Sequence, residues 1–383
     1  MTSPRPETRD CPHRPPCPGC PHWGESGIPG EKLKALRDLA HSAGLVGPLK
    51  VLSGDAVGYR HRARLAVRGR SNSPKIGVFQ SNSHRIADIP RCGVQHEKIN
   101  RCAAALRSAM RRCKLSPYVD GPHRGLVRYL QVLVPARLPG LQVTIVTNDD
   151  SPKSSESLFA AFEKEMDSEV TSLWWNGQPE RSNSILGPHW QLMKGVEFTA
   201  DKILDAEVHF HPAAFSQANP ILFDRIVEHI NEEVPAKARI LELYCGVGGI
   251  GLNLIEDASS IVFNEHSRAA IQGLEKSLAA LPALLQEKSQ VHMGPAADAA
   301  SAIAAADVVV ADPARKGLDP EVMKTIIRQP PEVLVLVACG FESFLRDAKR
   351  LIDSRAMTLS SLTPVALFPY GDQVETLAIF RNI

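Results

Sequence analysis

Leu33, Leu36, Leu39 and Ala40 recur at helical spacing and predict a helix over residues 31–43. From residue 59 the period changes to two. Over 59–70, Arg60, Arg62, Arg64, Arg68 and Arg70 fall on one face of a strand, and His61, Ala63, Leu65 and Val67 on the other. A helical run follows over 98–113, then alternating strands over 127–135 and 141–147 and a polar linker over 151–155. Trp174 and Trp175 read as packed rather than as platforms for bases. Near residue 200 the character changes. Asn219-Pro220 supplies a cap residue followed by proline in the first turn, which predicts a helix over 221–233. Beyond it come strand, glycine-rich turn, helix, strand, helix and strand, an α/β layer around a mostly parallel sheet. The expected division is an N-terminal region over 1–95, a central mixed α/β domain over 96–200 and a C-terminal α/β domain over 201–383.

At 383 residues the chain has room for two or three domains, each with its own core. No stretch reaches the ~20 apolar residues of a membrane span, and MTSPRPETRD at the start carries no apolar run behind its basic positions. A cytoplasmic protein without membrane association or an obligate protein partner is expected. The net charge of +2 hides an asymmetry: residues 1–130 hold 23 Lys and Arg against 9 Asp and Glu, and the remainder 21 against 33. That division points to a polyanion at the N-terminal half. Five guanidiniums on one strand face need phosphates or carboxylates between them, and Arg suits bidentate phosphate contact. RNA is the expected partner; a charged, solvated edge strand is the plainer reading of the same residues.

Three of the eight cysteines crowd the N-terminus as Cys11-x5-Cys17-x2-Cys20, and Cys92 follows a Pro-Arg pair. In a reduced compartment a tight cluster points to metal rather than disulfides, and four thiolates suit zinc or an iron–sulfur cluster. A zinc ribbon brings two C-x2-C knuckles, whereas one knuckle and two single cysteines lean toward the cluster; spacing leaves both open. Pro12, Pro15, Pro16, Pro18 and Pro21 stiffen a loop too poor in apolar residues to fold without a staple. His13 and His22 read as solvated, Cys102 and Cys113 as thiols within a helix, and Cys245 as packing.

Residues 240–245 form an apolar strand, and Gly246-Val-Gly248-Gly249-Ile-Gly251 opens the helix after it. Gly246 and Gly248 allow close backbone approach to a ligand. Glu265, 19 residues beyond the first glycine, ends the next strand and can accept from ribose hydroxyls. This turn suits NAD and S-adenosylmethionine alike. The later strands separate them. Asp307-Val-Val-Val-Ala-Asp312-Pro-Ala-Arg315 ends the fourth strand in an acid and a proline, and Cys339 closes the fifth, 333–338. Strand ends of an open α/β sheet face the ligand crevice, so Asp312 and Cys339 share it with the cofactor. No second nucleotide half or hydride-transfer domain follows, which favours a methyltransferase over a dehydrogenase. Glu375 lies in the last strand, 373–380, behind Phe368-Pro-Tyr-Gly-Asp372, and puts a charge on a face shared with Leu377 and Ile379.

In the Cys loop with its distant Cys92, Phe215-Ser-Gln217-Ala-Asn219, Leu243-Tyr-Cys-Gly246, Asp312-Pro-Ala-Arg315, Cys339 and Glu375, the chain resembles the S-adenosylmethionine-dependent RNA uracil-5 methyltransferases. The ordered set spans nearly the whole chain. The resemblance implies a Rossmann-like class I methyltransferase domain behind a mixed α/β RNA-binding region and a small Cys-rich loop. It implies a [4Fe-4S] cluster on Cys11, Cys17, Cys20 and Cys92, S-adenosylmethionine contacts from Gln217, Tyr244, Glu265 and Asp312, Cys339 as nucleophile and Glu375 as base. Larger members carry an extra N-terminal OB-like domain; the likeness is to the shorter branch that forms 5-methyluridine in 23S ribosomal RNA, with transfer RNA as the alternative substrate.

Carbon 5 of uracil is too weak a nucleophile to take a methyl group directly. A thiolate adding to carbon 6 makes the ring an enolate, whose carbon 5 attacks the sulfonium methyl; loss of the carbon 5 proton to Glu375 then releases Cys339. A helix expected from Phe341 points its N-terminus at Cys339 and is expected to lower the thiol pKa. A base inside folded RNA must leave its stack to be attacked, and binding should weaken with salt. Three segments depart from the family: Ala338-Cys339-Gly340 replaces Ser-Cys-Asn, Gly249 replaces Asn, and Phe368-Pro369-Tyr370-Gly371 replaces Phe-Pro-His-Thr. They motivate the competing reading of an RNA-binding protein that has lost catalysis.

Overall fold

A computed structural model describes residues 11–383; the first ten residues of the expected N-terminal region lie outside the described residues. Two units emerge. The first comprises the described residues up to Ser26 with Asp55–Val134 and Gly140–Val196, and the second Gly27–Gly54, Pro135–Pro139 and Glu197–Ile383. Residues 27–54, read from the sequence as N-terminal, belong to the second unit because α1 (Gly30–Ser42) buries Leu36 and Ala40 in its core.

In the first unit β1 (Arg62–Arg70), β2 (Ser73–Phe79), β3 (Ile86–Asp88), β4 (Val127–Leu133), β5 (Gln142–Thr147), β6 (Ser172–Gly177) and β7 (His189–Gly195) make one sheet, ordered β3-β2-β1-β4-β5-β6-β7. Neighbours are antiparallel except β5 and β6. Helices α2 (Glu97–Cys113) and α3 (Glu156–Met166) pack together beside it. The core takes Ala63, Leu65 and Val67 of β1 with Leu106, Phe162 and Trp175. The period of two therefore turns the apolar side of β1 inward and sends Arg62, Arg64, Arg68 and Arg70 to the other face. Trp174 and Trp175 are buried, and Trp175 Nε1 donates to Thr147 Oγ1 at 2.8 Å.

In the second unit β8 (Thr199–Ile203) and β9 (Ala206–Phe210) pair as a hairpin. Then α4 (Pro220–Glu233) starts on its expected cap, Asn219 Oδ1 accepting from the Leu222 N–H at 3.2 Å. After it come β10 (Arg239–Leu243), α5 (Gly251–Leu254), β11 (Ser260–Glu265), α6 (Arg268–Ala279), α7 (Ala283–Glu287), β12 (Ser289–Met293), β13 (Val308–Ala311), α8 (Pro320–Arg328), β14 (Val333–Ala338), α9 (Phe341–Asp353), β15 (Met357–Val365) and β16 (Glu375–Asn382). Their sheet is ordered β12-β11-β10-β13-β14-β16-β15. From β12 to β14 the strands are parallel, and β16 runs antiparallel between β14 and β15. Strands β13 and β14 are buried end to end, as near-continuous apolar runs require. The order reverses at β10, flanked by β11 and β13, which is where open α/β sheets take ligands. Among the described residues no helix is long and apolar enough to cross a membrane.

Candidate active site

The ladder between β14 and β16 runs as far as Ala338 opposite Thr376. One step further stand Cys339 and Glu375. Because β16 is antiparallel to its neighbour, its first residue arrives at the edge where the parallel strands end. There β13 also ends, at Ala311, and delivers Asp312. Glu375 is buried, while Cys339 and Asp312 are half-buried.

Burial pushes the Cys339 thiol up to about 11, with Glu375 and then Asp312 adding to the rise and Arg315 opposing it. Glu375 is held well above the usual carboxylate range by burial and by Asp312, again against Arg315, and burial raises Asp312 to about 7. The expected lowering of the thiol by a helix end is therefore corrected. Helix α9 does begin at Phe341, with Gly340 as its cap. Its N-terminal dipole does not outweigh the loss of water and two neighbouring carboxylates.

The turn behind Cys339 is strapped to the loop behind Asp312. Ser343 Oγ donates to the Arg315 carbonyl at 2.7 Å, with the Gly340 carbonyl also within reach at 2.9 Å. A β-carbon at Gly340 would fall on that same Arg315 oxygen and on Ser343 Oγ. The lack of a side chain at Gly340 is thus what permits this close approach of the two loops.

At the nucleotide turn Tyr244, Gly246 and Gly248 take φ of 59°, 58° and 80°, the left-handed region that glycine tolerates best. The space beside Gly246 is open, a β-carbon there meeting nothing within 4 Å. Its N–H donates to Glu265 Oε2 at 3.0 Å, and Glu265 Oε1 accepts from His266 and Ser267 N–H at 2.8 and 2.7 Å. Three backbone donors thus use most of a carboxylate's roughly four acceptor sites and leave room for one more bond. The Tyr244 hydroxyl accepts from the Asp319 N–H at 3.1 Å. Gln217 is half-buried, two residues before Asn219, whose Nδ2 donates to the Leu367 carbonyl at 3.1 Å. At Gly249, where the family has Asn, a β-carbon would press on Ile203.

Glu242 was missed by sequence reasoning. It is buried in β10, its Oε2 accepts from the Gly251 N–H at 3.0 Å, and burial raises it to about 8, with Asp312 and Glu265 adding. Its signal was visible as one acid inside an otherwise apolar strand. Glu242, Glu265, Asp312 and Glu375 crowd four acids at this end of the sheet, where burial opposes ionisation of Glu242, Asp312 and Glu375 and a bound sulfonium cation would favour it. With the open space beside Gly246, these residues fit S-adenosylmethionine.

In the first unit the two buried arginines of β1 are held by protein groups. Arg62 lies 3.5 Å from Gln131 Oε1 and is pushed down to about 9 by burial and by Arg64. Arg68 makes a bidentate pair with Asp120 at 2.7 and 2.9 Å and donates to the Val67 and Arg128 carbonyls. Arg64 and Arg70 are exposed, Arg64 Nε donating to Gln131 Oε1 at 2.6 Å; Arg60 bridges in parallel to Gln95.

Burial raises the Cys20 thiol to about 11, with Cys92, Cys17 and Cys11 each adding, so the fold brings the four cysteines into one neighbourhood. The Gly19 N–H points at Cys17 Sγ at 3.5 Å, and Val94 and Gln95 N–H groups oppose the burial of Cys92. His13, expected to be solvated, is buried, and its Nε2 has no hydrogen-bond partner among the described residues. In chemistry the donor set fits a thiolate-bound metal group. Among the described residues, however, no three Cys, His, Asp or Glu side chains stand at ligating distance of one point.

The sheet order, with one antiparallel strand between β14 and β15 and a glycine turn at the switch point, is that of the Rossmann-like class I methyltransferase fold. The chain is 30% identical to an uncharacterized RNA methyltransferase of Protochlamydia amoebophila, over 97% of this chain and 97% of that relative, and it belongs to that RNA methyltransferase family. A second uncharacterized RNA methyltransferase, from Halalkalibacterium halodurans, is 26% identical over 97% of this chain and 82% of its own length. The crystal structure of the Pyrococcus abyssi tRNA (uracil-54, C5)-methyltransferase with S-adenosyl-L-homocysteine superposes with a TM-score of 0.73, at 22% identity over 91% of this chain and 83% of that one. That likeness is one of fold. No family model matches the chain.

Proposed function

We propose that this chain transfers the methyl group of S-adenosylmethionine to carbon 5 of a uridine in RNA, 23S ribosomal RNA being the favoured substrate on the resemblance to the shorter branch. The observation that carries the reading is the meeting of Cys339 and Glu375, one step past Ala338 and Thr376, at the ligand edge of the sheet. A thiol and a carboxylate on adjacent strands can bracket one pyrimidine ring.

Cys339 adds through sulfur to carbon 6, and Glu375 takes the carbon 5 proton before the carbon–sulfur bond breaks. Arg315 lowers both groups and so favours the thiolate and carboxylate forms the chemistry needs. S-adenosylmethionine supplies the electrophilic methyl group. Gln217, Tyr244, Gly246, Gly248, Glu265 and Asp312 would hold it.

Arg60, Arg64 and Arg70 would meet phosphates, with Arg62 and Arg68 bracing the sheet beneath them. Cys11, Cys17, Cys20 and Cys92 would hold a [4Fe-4S] cluster, zinc being the other group that four thiolates suit. Its part is to order the loop that carries three of its ligands.

The test is incubation of the protein and its Cys339→Ala variant with labelled S-adenosylmethionine and unmodified 23S and transfer RNA transcripts, followed by nucleoside analysis. Label in 5-methyluridine with the unsubstituted protein alone supports the reaction and its nucleophile, and the labelled transcript names the substrate. RNA binding by both proteins with transfer by neither sinks the catalytic reading.

A further inference from the structure

We infer that Ser343, Arg346 and Asp347, on one face of α9, are positioning residues that hold the loop 312–319 against the Cys339 turn and so keep the Arg315 guanidinium beside the thiol. The inference deepens the reading above and rests on its choice of Cys339 as nucleophile. The three residues are spaced i, i+3 and i+4 along the helix that starts directly behind Cys339. Each takes a different backbone group of the loop. Ser343 Oγ donates to the Arg315 carbonyl at 2.7 Å, Arg346 Nη2 donates to the Lys316 carbonyl at 2.8 Å, and Asp347 Oδ2 accepts from the Leu318 N–H at 2.9 Å. Asp347 Oδ1 accepts from Arg346 Nε at 2.9 Å and thereby aims that guanidinium at the loop. One residue further on, the Asp319 N–H donates to the Tyr244 hydroxyl at 3.1 Å.

The loop and the helix face are packed too closely for a side chain between them. A β-carbon at Gly317 would fall on Asp347 Oδ2, Arg346 Nη2 and Ser343 Cβ together. Ser343 and Asp347 are only 7% and 5% exposed. Burying a hydroxyl and a carboxylate is costly unless each is hydrogen-bonded, and here the bonds run to the loop. What the loop delivers is charge. The charged groups acting on Cys339 are Glu375 from β16 and Asp312 and Arg315 from this loop, and Arg315 is the cation among them. Its side chain is exposed and among the described residues forms no salt bridge, so its backbone decides where it stands. That backbone is the one Ser343 holds.

The experiment compares alkylation of Cys339 by iodoacetate and by iodoacetamide in the full chain, read by mass spectrometry of the Cys339 peptide, without RNA or methyl donor. Both reagents attack the thiolate and are similar in size, so the ratio of their rates cancels access and ionisation and reports the electrostatic potential at the sulfur. Arg315→Gln should lower that ratio by roughly fivefold, and Ser343→Ala and Arg346→Ala each by roughly twofold to threefold. In the Arg315→Gln background the same two substitutions should lower it no further, which separates positioning from the field of Arg346 itself. Arg346 is exposed, so its variant reads the loop even where Ser343→Ala melts early. An unchanged ratio in the single variants, or drops that persist in full beside Arg315→Gln, would overturn the inference. In methyl transfer, kcat should fall with the ratio while the KM for RNA stays within about twofold of the parent. A parent that transfers no methyl group but shows the expected ratios keeps the positioning role and loses the methyltransferase reading.

Discussion

Cys339 and Glu375 occupy the step beyond the last paired residues, Ala338 and Thr376, of two antiparallel strands that lie side by side in the sheet. Had β16 run parallel to its neighbour, Glu375 would begin at the far edge, away from the thiol and from Asp312. The reversal of one strand is what brings together residues 36 apart in sequence. It also concentrates two acids and a thiol out of water, where each raises the cost of ionising the next. Arg315 opposes that cost at both Cys339 and Glu375.

Replacing Glu375 by Gln separates the two halves of the proposed reaction. The thiol can still add to carbon 6 and the methyl group can still arrive, but the carbon 5 proton has no acceptor. We expect turnover to fall by roughly a thousandfold, within the range for removing a general base, and a protein–RNA adduct to persist. Denaturing electrophoresis with labelled RNA checks it: a band of protein plus RNA should appear with Glu375→Gln and be absent from Cys339→Ala/Glu375→Gln.

Gly340→Asn restores the family's residue and should nonetheless harm this protein. A β-carbon there falls on the Arg315 carbonyl and on Ser343 Oγ, so the strap between the two site loops must open. Forcing side-chain atoms into a packed site costs roughly 1–3 kcal/mol. Chemical denaturation should show that loss, and methyl transfer should fall with it; unchanged stability and rate would mean that the loops yield freely.

Much of this site was legible because its residues sit at ends of apolar runs. Asp312 and Cys339 close β13 and β14, and an apolar run has a visible end. Asn219-Pro220 was readable for a similar reason, since capping is local chemistry. The features that escaped depended on contacts across sequence. The place of α1 in the second unit comes from where Leu36 and Ala40 find a core, which periodicity does not specify. Alternation gave the correct faces of β1, but not that Asp120, some 50 residues on, would claim Arg68. The Cys339 thiol is raised rather than lowered because burial, and then two carboxylates arriving from other strands, act on it from across the fold, whereas the helix end was local and readable.

Glu242 should make stability fall as pH rises. Its folded pKa of about 8 exceeds the roughly 4.3 of an unfolded Glu, so the folded state holds its proton more tightly. The resulting stabilisation is fully present below about pH 4 and is lost as pH rises through about 8. Ionised at that depth, Glu242 also faces Asp312 and Glu265. Glu242→Gln keeps an oxygen for the Gly251 N–H and cannot ionise. Melting temperatures from pH 5 to about 9 should decline less steeply for Glu242→Gln than for the parent; parallel curves would show that Glu242 does not drive the decline.

The cysteine loop should depend on what its thiols bind. Cys20 is pushed up to about 11 by burial and then by Cys92, Cys17 and Cys11, so four thiolates in this neighbourhood repel one another unless a cation lies among them. A loop with five prolines between residues 12 and 21 and little apolar surface has few other sources of stability. Protein purified without oxygen should therefore be brown, with broad absorption near ~400 nm, if the group is an iron–sulfur cluster, and colourless with one zinc per chain if it is not. Cys20→Ser and Cys92→Ser should each lose the bound metal and lower the melting temperature, because metal that binds only the folded chain stabilises it by mass action. Metal-free protein whose four thiols react freely, and which melts no lower than the loaded form, would show that these cysteines meet for packing alone.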